Sequence, residues 1–313
     1  MHLYYRSHPR RRRRADRYVL NLQRQPMIAT PDNVTLHGDG LDHPESVCIG
    51  ADGVLYAGGE AGQIYRIDAD GQREFASTGG FILGLTCDGA GAIIACDCAQ
   101  NALFRITPGG SVARWCDRVG ERPLVNPNHG VFTADGRFLF SNSGDYWSAE
   151  GDGFIGCVHP DSSTDVFHAG PLRFPNGLAI DPDGRWLYIA QSTAANIVRV
   201  PLDRPDGSTE IAFDLPAGTI PDGICCAADG SLVIGCYKPD AVLLGHPDGS
   251  SAPIVEDPTG ELISRPTNVA LHDGRLYIAN LGGWHLASIP TDLTPGTIHR
   301  PVTNSEISDH ENR

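Results

Sequence analysis

The sequence predicts an all-β fold, a six-bladed β-propeller of four-stranded blades. Three observations predict it: one phrase returns six times, its spacing is that of a propeller blade, and no helical periodicity runs through the copies. The phrase is a pair of short apolar runs about an Asp-Gly turn or its equivalent. It reads HPESVCIGADGVLYAGG, ILGLTCDGAGAIIACD, NPNHGVFTADGRFLFSN, FPNGLAIDPDGRWLYIAQS, IPDGICCAADGSLVIGC and RPTNVALHDGRLYIAN. The turn glycines, Gly53, Gly91, Gly136, Gly184, Gly230 and Gly274, are 38, 45, 48, 46 and 44 residues apart. A helical repeat would space its apolar residues by 3.6, and a sandwich would not repeat one phrase six times.

Each phrase supplies the first two strands of a blade. A third apolar run follows in every copy, as in GQIYRIDADGQ and ANIVRVPLDRPDGS, and a weaker fourth follows in most, as in REFAS and VARWCD. The last copy has no obvious fourth run. Residues near 18 to 36 are placed to supply it, closing the ring and leaving no open sheet edge. The expected organisation is a basic tail at 1–26, the propeller at 27–300 and a C-terminal tail at 301–313.

Composition fits. Of 313 residues, 37 are Gly and 23 Pro, which suits many turns between short strands, and 41% hydrophobic content allows a sizeable core. The net charge of −14 argues against nucleic acid as a partner, and no apolar run has the roughly 20 residues of a membrane span. The nine cysteines include no Cys-x-x-Cys pair and lie mostly in apolar runs, so they are expected to be reduced in a cytoplasmic protein. Arg10 to Arg14 reverse the local charge but lack the apolar stretch of a secretory signal; a solvated tail is expected. The partner expected is a small molecule.

Five of the six phrases carry a proline near their start, as in a second turn signal such as Pro-Asn-Gly at 175–177. Eight positions before the turn glycine stand Glu45, Leu83, Asn128, Asn176 and Asp222; in the sixth copy, one residue shorter, Thr267 follows the proline. The first strand of every blade lines the central channel, so these residues are expected to converge on one ring. Two carboxylates and two amide oxygens gathered there would repel one another without a cation between them. Oxygen ligands without thiolate suit Ca²⁺, Mg²⁺ or Mn²⁺. Asn and Asp are also ordinary turn formers, but Glu45 is not.

These phrases, as an ordered set over roughly residues 40 to 290, resemble the gluconolactonase, regucalcin (senescence marker protein) and luciferin-regenerating enzyme family. The resemblance implies a six-bladed propeller with one divalent cation in its channel and an activity of opening lactones, mostly of sugars. It puts the metal ligands at Glu45, Asn176 and Asp222 and a substrate-binding amide at Asn128. Ca²⁺ is the first expectation for the metal, with Zn²⁺, Mg²⁺ and Mn²⁺ open. Two positions depart from the family pattern: His129 and Gln191 stand where relatives often carry Asp.

The expected reaction is attack of a water on the lactone carbonyl, with Asp222 taking its proton and His129 as a second base or proton shuttle. Asn126 and Trp147 are expected to touch substrate beside Asn128, the Trp147 loop (SNSGDYWSAEGDG) acting as a lid. Asn142, Asp145, Tyr146, His43, Trp284 and His285 are further mouth candidates. There is no Gly-x-Ser-x-Gly elbow for a serine hydrolase. The competing readings are a metal-dependent propeller enzyme of other chemistry, as in strictosidine synthase-like proteins or carbon–carbon bond cleavage, and a non-catalytic binding scaffold.

Overall fold

Short apolar runs broken by glycine turns build six antiparallel sheets of four strands in the computed structural model, which describes residues 26–303. The basic run Arg10–Arg14 and the tail beyond residue 303 lie outside the described residues. Among the described residues there is no helix, and so none long and apolar enough to cross a membrane. The inner strands are Ser46–Ile49, Ile82–Cys87, Pro127–Phe132, Pro175–Ile180, Ile220–Cys226 and Pro266–His272. Each packs against the inner strands of both neighbouring blades, and the sixth returns to the first. Buried aliphatic and aromatic side chains fill the spaces between successive blades, such as Leu139, Ile155 and Leu187 between blades three and four.

The ring closes as expected. Thr35–His37 pairs antiparallel with Leu286–Pro290 and completes the sixth blade, so the last sheet joins the two ends of the chain. Met27–Ile28 adds a fifth, parallel strand to the outer edge of blade five. After the last blade the chain crosses back: Gly296 N–H donates to Cys226 O (2.9 Å) and Gly89 N–H to Pro301 O (2.9 Å).

The second turn signal is not a turn. Pro175, Asn176 and Gly177 lie inside the inner strand, and the chain reverses only at Asp183-Gly184. What the motif marks is a bulge. Pro175 faces Gln191 and Leu178 faces Ile189, so three steps on the inner strand answer two on its neighbour. The same extra residue follows Pro127, Pro221 and Pro266, and another falls between Ile82 and Gly84. A bulge bends the strand and re-aims one side chain. Here it falls on Leu83, Asn128, Asn176, Asp222 and Thr267. Gly177 has ordinary strand φ but no room: a Cβ would come within 2.5 Å of Asp222 O and 2.6 Å of Gly223 Cα.

Loops that carry blades are held by polar side chains. Asp257, buried after blade five, accepts N–H bonds from Thr259 and Gly260 on one oxygen and from Leu262 and Ile263 on the other. Burial raises its carboxyl, but these bonds outweigh burial and hold it down to about 2. Asp257→Asn is expected to cost about 2–3 kcal/mol, because the amide turns a donor toward donors. Since the folded carboxyl titrates below its ordinary 3.8, its stabilisation is complete above about pH 4 and disappears as pH falls through about 2. Urea unfolding of both proteins should therefore converge at acid pH. A cost under 0.5 kcal/mol at pH 7 would show that these bonds are not needed.

Candidate functional site

Two cavities follow one another along the channel. The opening residues of the inner strands line one of about 460 Å³, and later residues of the same strands line another of about 360 Å³. Glu45, Leu83, Asn128, Asn176 and Asp222 all face the first; all but Glu45, which precedes a regular strand, sit in bulges. Thr267 does not. Its hydroxyl donates to Glu45 O (2.6 Å), while the Asn268 amide donates to Glu45 O (3.0 Å) and Leu83 O (3.1 Å). The sixth blade therefore pins the backbone of blades one and two. Ser141 Oγ donates likewise to Asn176 O, and Ser192 Oγ to Pro221 O, each at 2.7 Å.

The ring side chains are buried and under-satisfied. Asn128 Oδ1, Asn176 Oδ1 and Asp222 Oδ1 have no hydrogen-bond partner. Burial raises the Glu45 carboxyl well above the carboxylate range, and the Asp222 and Glu60 charges raise it further. Burial also lifts Asp222 to about 7 despite the opposing Asn176 amide and Gly223 N–H. Buried oxygens without donors and two carboxyls that disfavour each other's charge are the two things a divalent cation relieves at once. The ring donors are all oxygen, the Cys98 thiol also lines the cavity, and no Lys or Arg is there to neutralise the site.

Other expected residues fall elsewhere. His129 lines the second cavity; its Nδ1 accepts the Leu178 N–H (3.2 Å), and burial pushes it down to about 4. Its neighbour Asn128 faces the ring, so His129 is corrected from a base at the ring to a packed neutral histidine. Trp147 is 85% exposed and does not line the cavity. It packs against Tyr146 (5.2 Å), which does. Asn126 lines the cavity, but its amide donates to Gly144 O (2.9 Å). Asp145 ties its own loop through Trp147 N–H, and His43 packs tilted against Trp284, ring centres 4.2 Å apart. His285 Nε2 is bonded to Leu262 O, and Asn142 Oδ1 accepts Val125 N–H.

Sequence reasoning gave no weight to Phe174, Ile220, Tyr237 or Leu281, all of which line the cavity. A signal was present: two residues before every ring position but Leu83 stands the residue ahead of a proline. Four of these, His43, Asn126, Phe174 and Arg265, have φ between 42° and 52°. That left-handed conformation is costly for such side chains and needs support. The end of the second strand gives it. In blade four, Gln191 Oε1 accepts the Arg173 N–H (2.7 Å) and Ser192 N–H donates to Phe174 O (3.2 Å). Asn142 with Ser143 and Asn280 with Leu281 repeat this clamp in blades three and six. Gln191 is thus a clamp residue, and its amide also donates to Asn196 Oδ1 (2.9 Å), a bond an acid in its charged form could not make.

Two further groups could hold a cation: Asp42, His43 and Glu60 beside the first blade, and Cys157, His159 and Asp165 on the third. Both are partly exposed and already joined by His–carboxylate contacts of 3.1–3.3 Å.

Comparison with known proteins adds the following. The SMP-30/Gluconolactonase/LRE-like region family model matches residues 45–281. The fold is similar to that of a gluconolactonase from Xanthomonas campestris (TM-score 0.70, 20% identity, 87% of this chain and 96% of that one). It is also similar to regucalcin, a calcium-binding protein from Agrobacterium tumefaciens (TM-score 0.64, 17% identity, 90% and 95%). Virginiamycin B lyase from Staphylococcus aureus is another propeller like it (TM-score 0.61, 17% identity, 87% and 89%). No curated protein matches the chain.

Proposed function

We propose, from the premise that the chain belongs to the SMP-30/gluconolactonase/LRE-like family, that it is a metal-dependent lactonase. The observation that carries this reading is the set of buried, partnerless oxygens on Asn128, Asn176 and Asp222 facing one cavity with Glu45. Glu45, Asn176 and Asp222 would hold one divalent cation, Ca²⁺ being best suited to an all-oxygen donor set. When bound, the ion supplies Lewis-acid polarisation and a lowered pKa for water.

The chain's own groups do the rest. Asn128 orients the lactone with its amide. Asp222 receives a proton from the attacking water, whose oxygen bonds to the acyl carbon. The ring acyl–oxygen bond then breaks, and the departing ring oxygen takes a proton back to give the open hydroxy acid. His129 has no part, being turned into the second cavity. A cytoplasmic setting and a small-molecule substrate complete the reading.

The test is hydrolysis of a lactone panel before and after chelation. Turnover should fall to background with chelator and return with Ca²⁺, with Zn²⁺, Mg²⁺ and Mn²⁺ as comparisons. Metal uptake with no lactone opened would point to another metal-assisted chemistry. Absence of metal uptake would leave a binding scaffold.

A further inference from the structure

We infer that the site selects a neutral lactone bearing an apolar substituent, and that Phe174 with Tyr146 reads that substituent. This rests on the lactonase reading and names its substrate class. The polar atoms of the cavity are concentrated on the ring. Beyond its polar members, the lining is largely Leu83, Cys98, Phe174, Ile220 and Leu281, with the rings of Tyr146 and Tyr237. Three of the polar side chains there are already engaged, which leaves few groups for substrate hydroxyls beyond the Tyr146 and Tyr237 hydroxyls and the Cys98 thiol. The Asn126 amide donates to Gly144 O, the Asn176 amide to Ser192 Oγ (3.3 Å), and Ser192 Oγ to Pro221 O. A polyhydroxylated lactone needs a partner for each hydroxyl it buries, and each one unmet costs binding. A ring with an alkyl or aryl arm needs only apolar wall.

Charge points the same way. No Lys or Arg lines the cavity, and Glu45 and Asp222 face it. The cation nearest in the pattern, Arg265, is stacked on the Tyr237 ring (5.4 Å) and is not part of the lining. A substrate carrying a carboxylate or phosphate would find no counter-charge of its own.

Phe174 shares its left-handed backbone with His43, Asn126 and Arg265, but it is the position where that conformation carries an aromatic ring to the cavity. Phe174 is held at φ 52° ahead of a proline, clamped by Gln191 and Ser192. Its ring meets Tyr146 edge-on at 4.9 Å. Neither ring is sealed in the core: Phe174 is half-buried and Tyr146 is 37% exposed. Aromatic residues that only fill a core are closed over, whereas these two present ring faces to the cavity.

The experiment uses the full-length, Ca²⁺-loaded protein and a series of γ- and δ-lactones with alkyl chains from methyl upward, together with gluconolactone and a carboxylate-bearing lactone. We expect kcat/KM to rise about fourfold per methylene over the first few carbons, the equivalent of ~0.8 kcal/mol each. Gluconolactone and the anionic lactone should lie about a hundredfold below the best alkyl lactone. Phe174→Asn retains a residue that tolerates the left-handed conformation and removes the ring. It should collapse the long-to-short chain ratio, the loss falling in KM. Tyr146→Ser, on a surface loop, reads the same ratio if the first variant fails to fold. Faster opening of gluconolactone or of the anionic lactone, or a chain-length ratio unmoved in both variants, overturns the inference while leaving the lactonase reading intact. Opening of no lactone at all overturns both.

Discussion

Glu45→Gln and Asp222→Asn are each expected to reduce lactone hydrolysis on the order of 10³-fold and at the same time to make the metal-free protein more stable. The two effects have one cause. Without a cation the wild-type channel holds two buried carboxyls whose charged forms burial opposes, Glu45 being raised further by Asp222. An amide of the same shape removes one charge and its repulsion. The melting temperature of the chelated protein should therefore rise, by roughly 2–4 °C for each kcal/mol relieved. Added Ca²⁺ should reverse the order. The wild type gains about 2.7 kcal/mol at a hundred times its Kd, and the variants gain little. Melting curves with and without chelator give both signs. Variants that still gain stability from Ca²⁺ as the wild type does, or that are less stable than it when chelated, would place the ion elsewhere.

Much of this was legible in the chain because a propeller writes its symmetry into its sequence. Six copies of one phrase give six blades, and the residue at one register in each copy gives the ring. What was not legible depended on a single step of strand geometry. Pro-Asn-Gly looks the same whether glycine is needed for a turn or for lack of space, so the bulge was read as a turn. In a bulged strand the usual alternation is locally reset, and His129, next to Asn128, passed for a second site residue although it faces the other cavity. Trp147 drew attention as the larger aromatic, but on a loop the order of exposure is set by the loop's own bonds. Asp145 and Asp152 fold it so that Tyr146 turns inward. The clamp on Phe174 involves Gln191, 17 positions later in the chain, and no local pattern announces it.

Gly177→Ala is expected to cost at least about 3 kcal/mol and to weaken Ca²⁺ binding, whereas Gly184→Ala should cost about 1 kcal/mol and leave binding alone. The comparison separates two uses of glycine. Gly184 has φ +67° with nothing within 4 Å of its added Cβ, so alanine there meets only the penalty of the left-handed conformation. Gly177 has strand φ, yet its added Cβ meets Asp222 O at 2.5 Å, Gly223 Cα at 2.6 Å and Ile224 N at 2.6 Å. All three are backbone atoms of the next inner strand, so no rotamer can move aside. Blades four and five must part instead, and with them Asn176 and Asp222, the residues immediately before Gly177 and Gly223. Close packing makes the loss of stability and the loss of the metal one event, because interiors at this density transmit a displacement rather than absorb it. Denaturant midpoints and Ca²⁺ titrations of the two variants provide the check. Equal costs at both positions, with binding unchanged, would mean that the inner strands are not in the contact that gathers the ring.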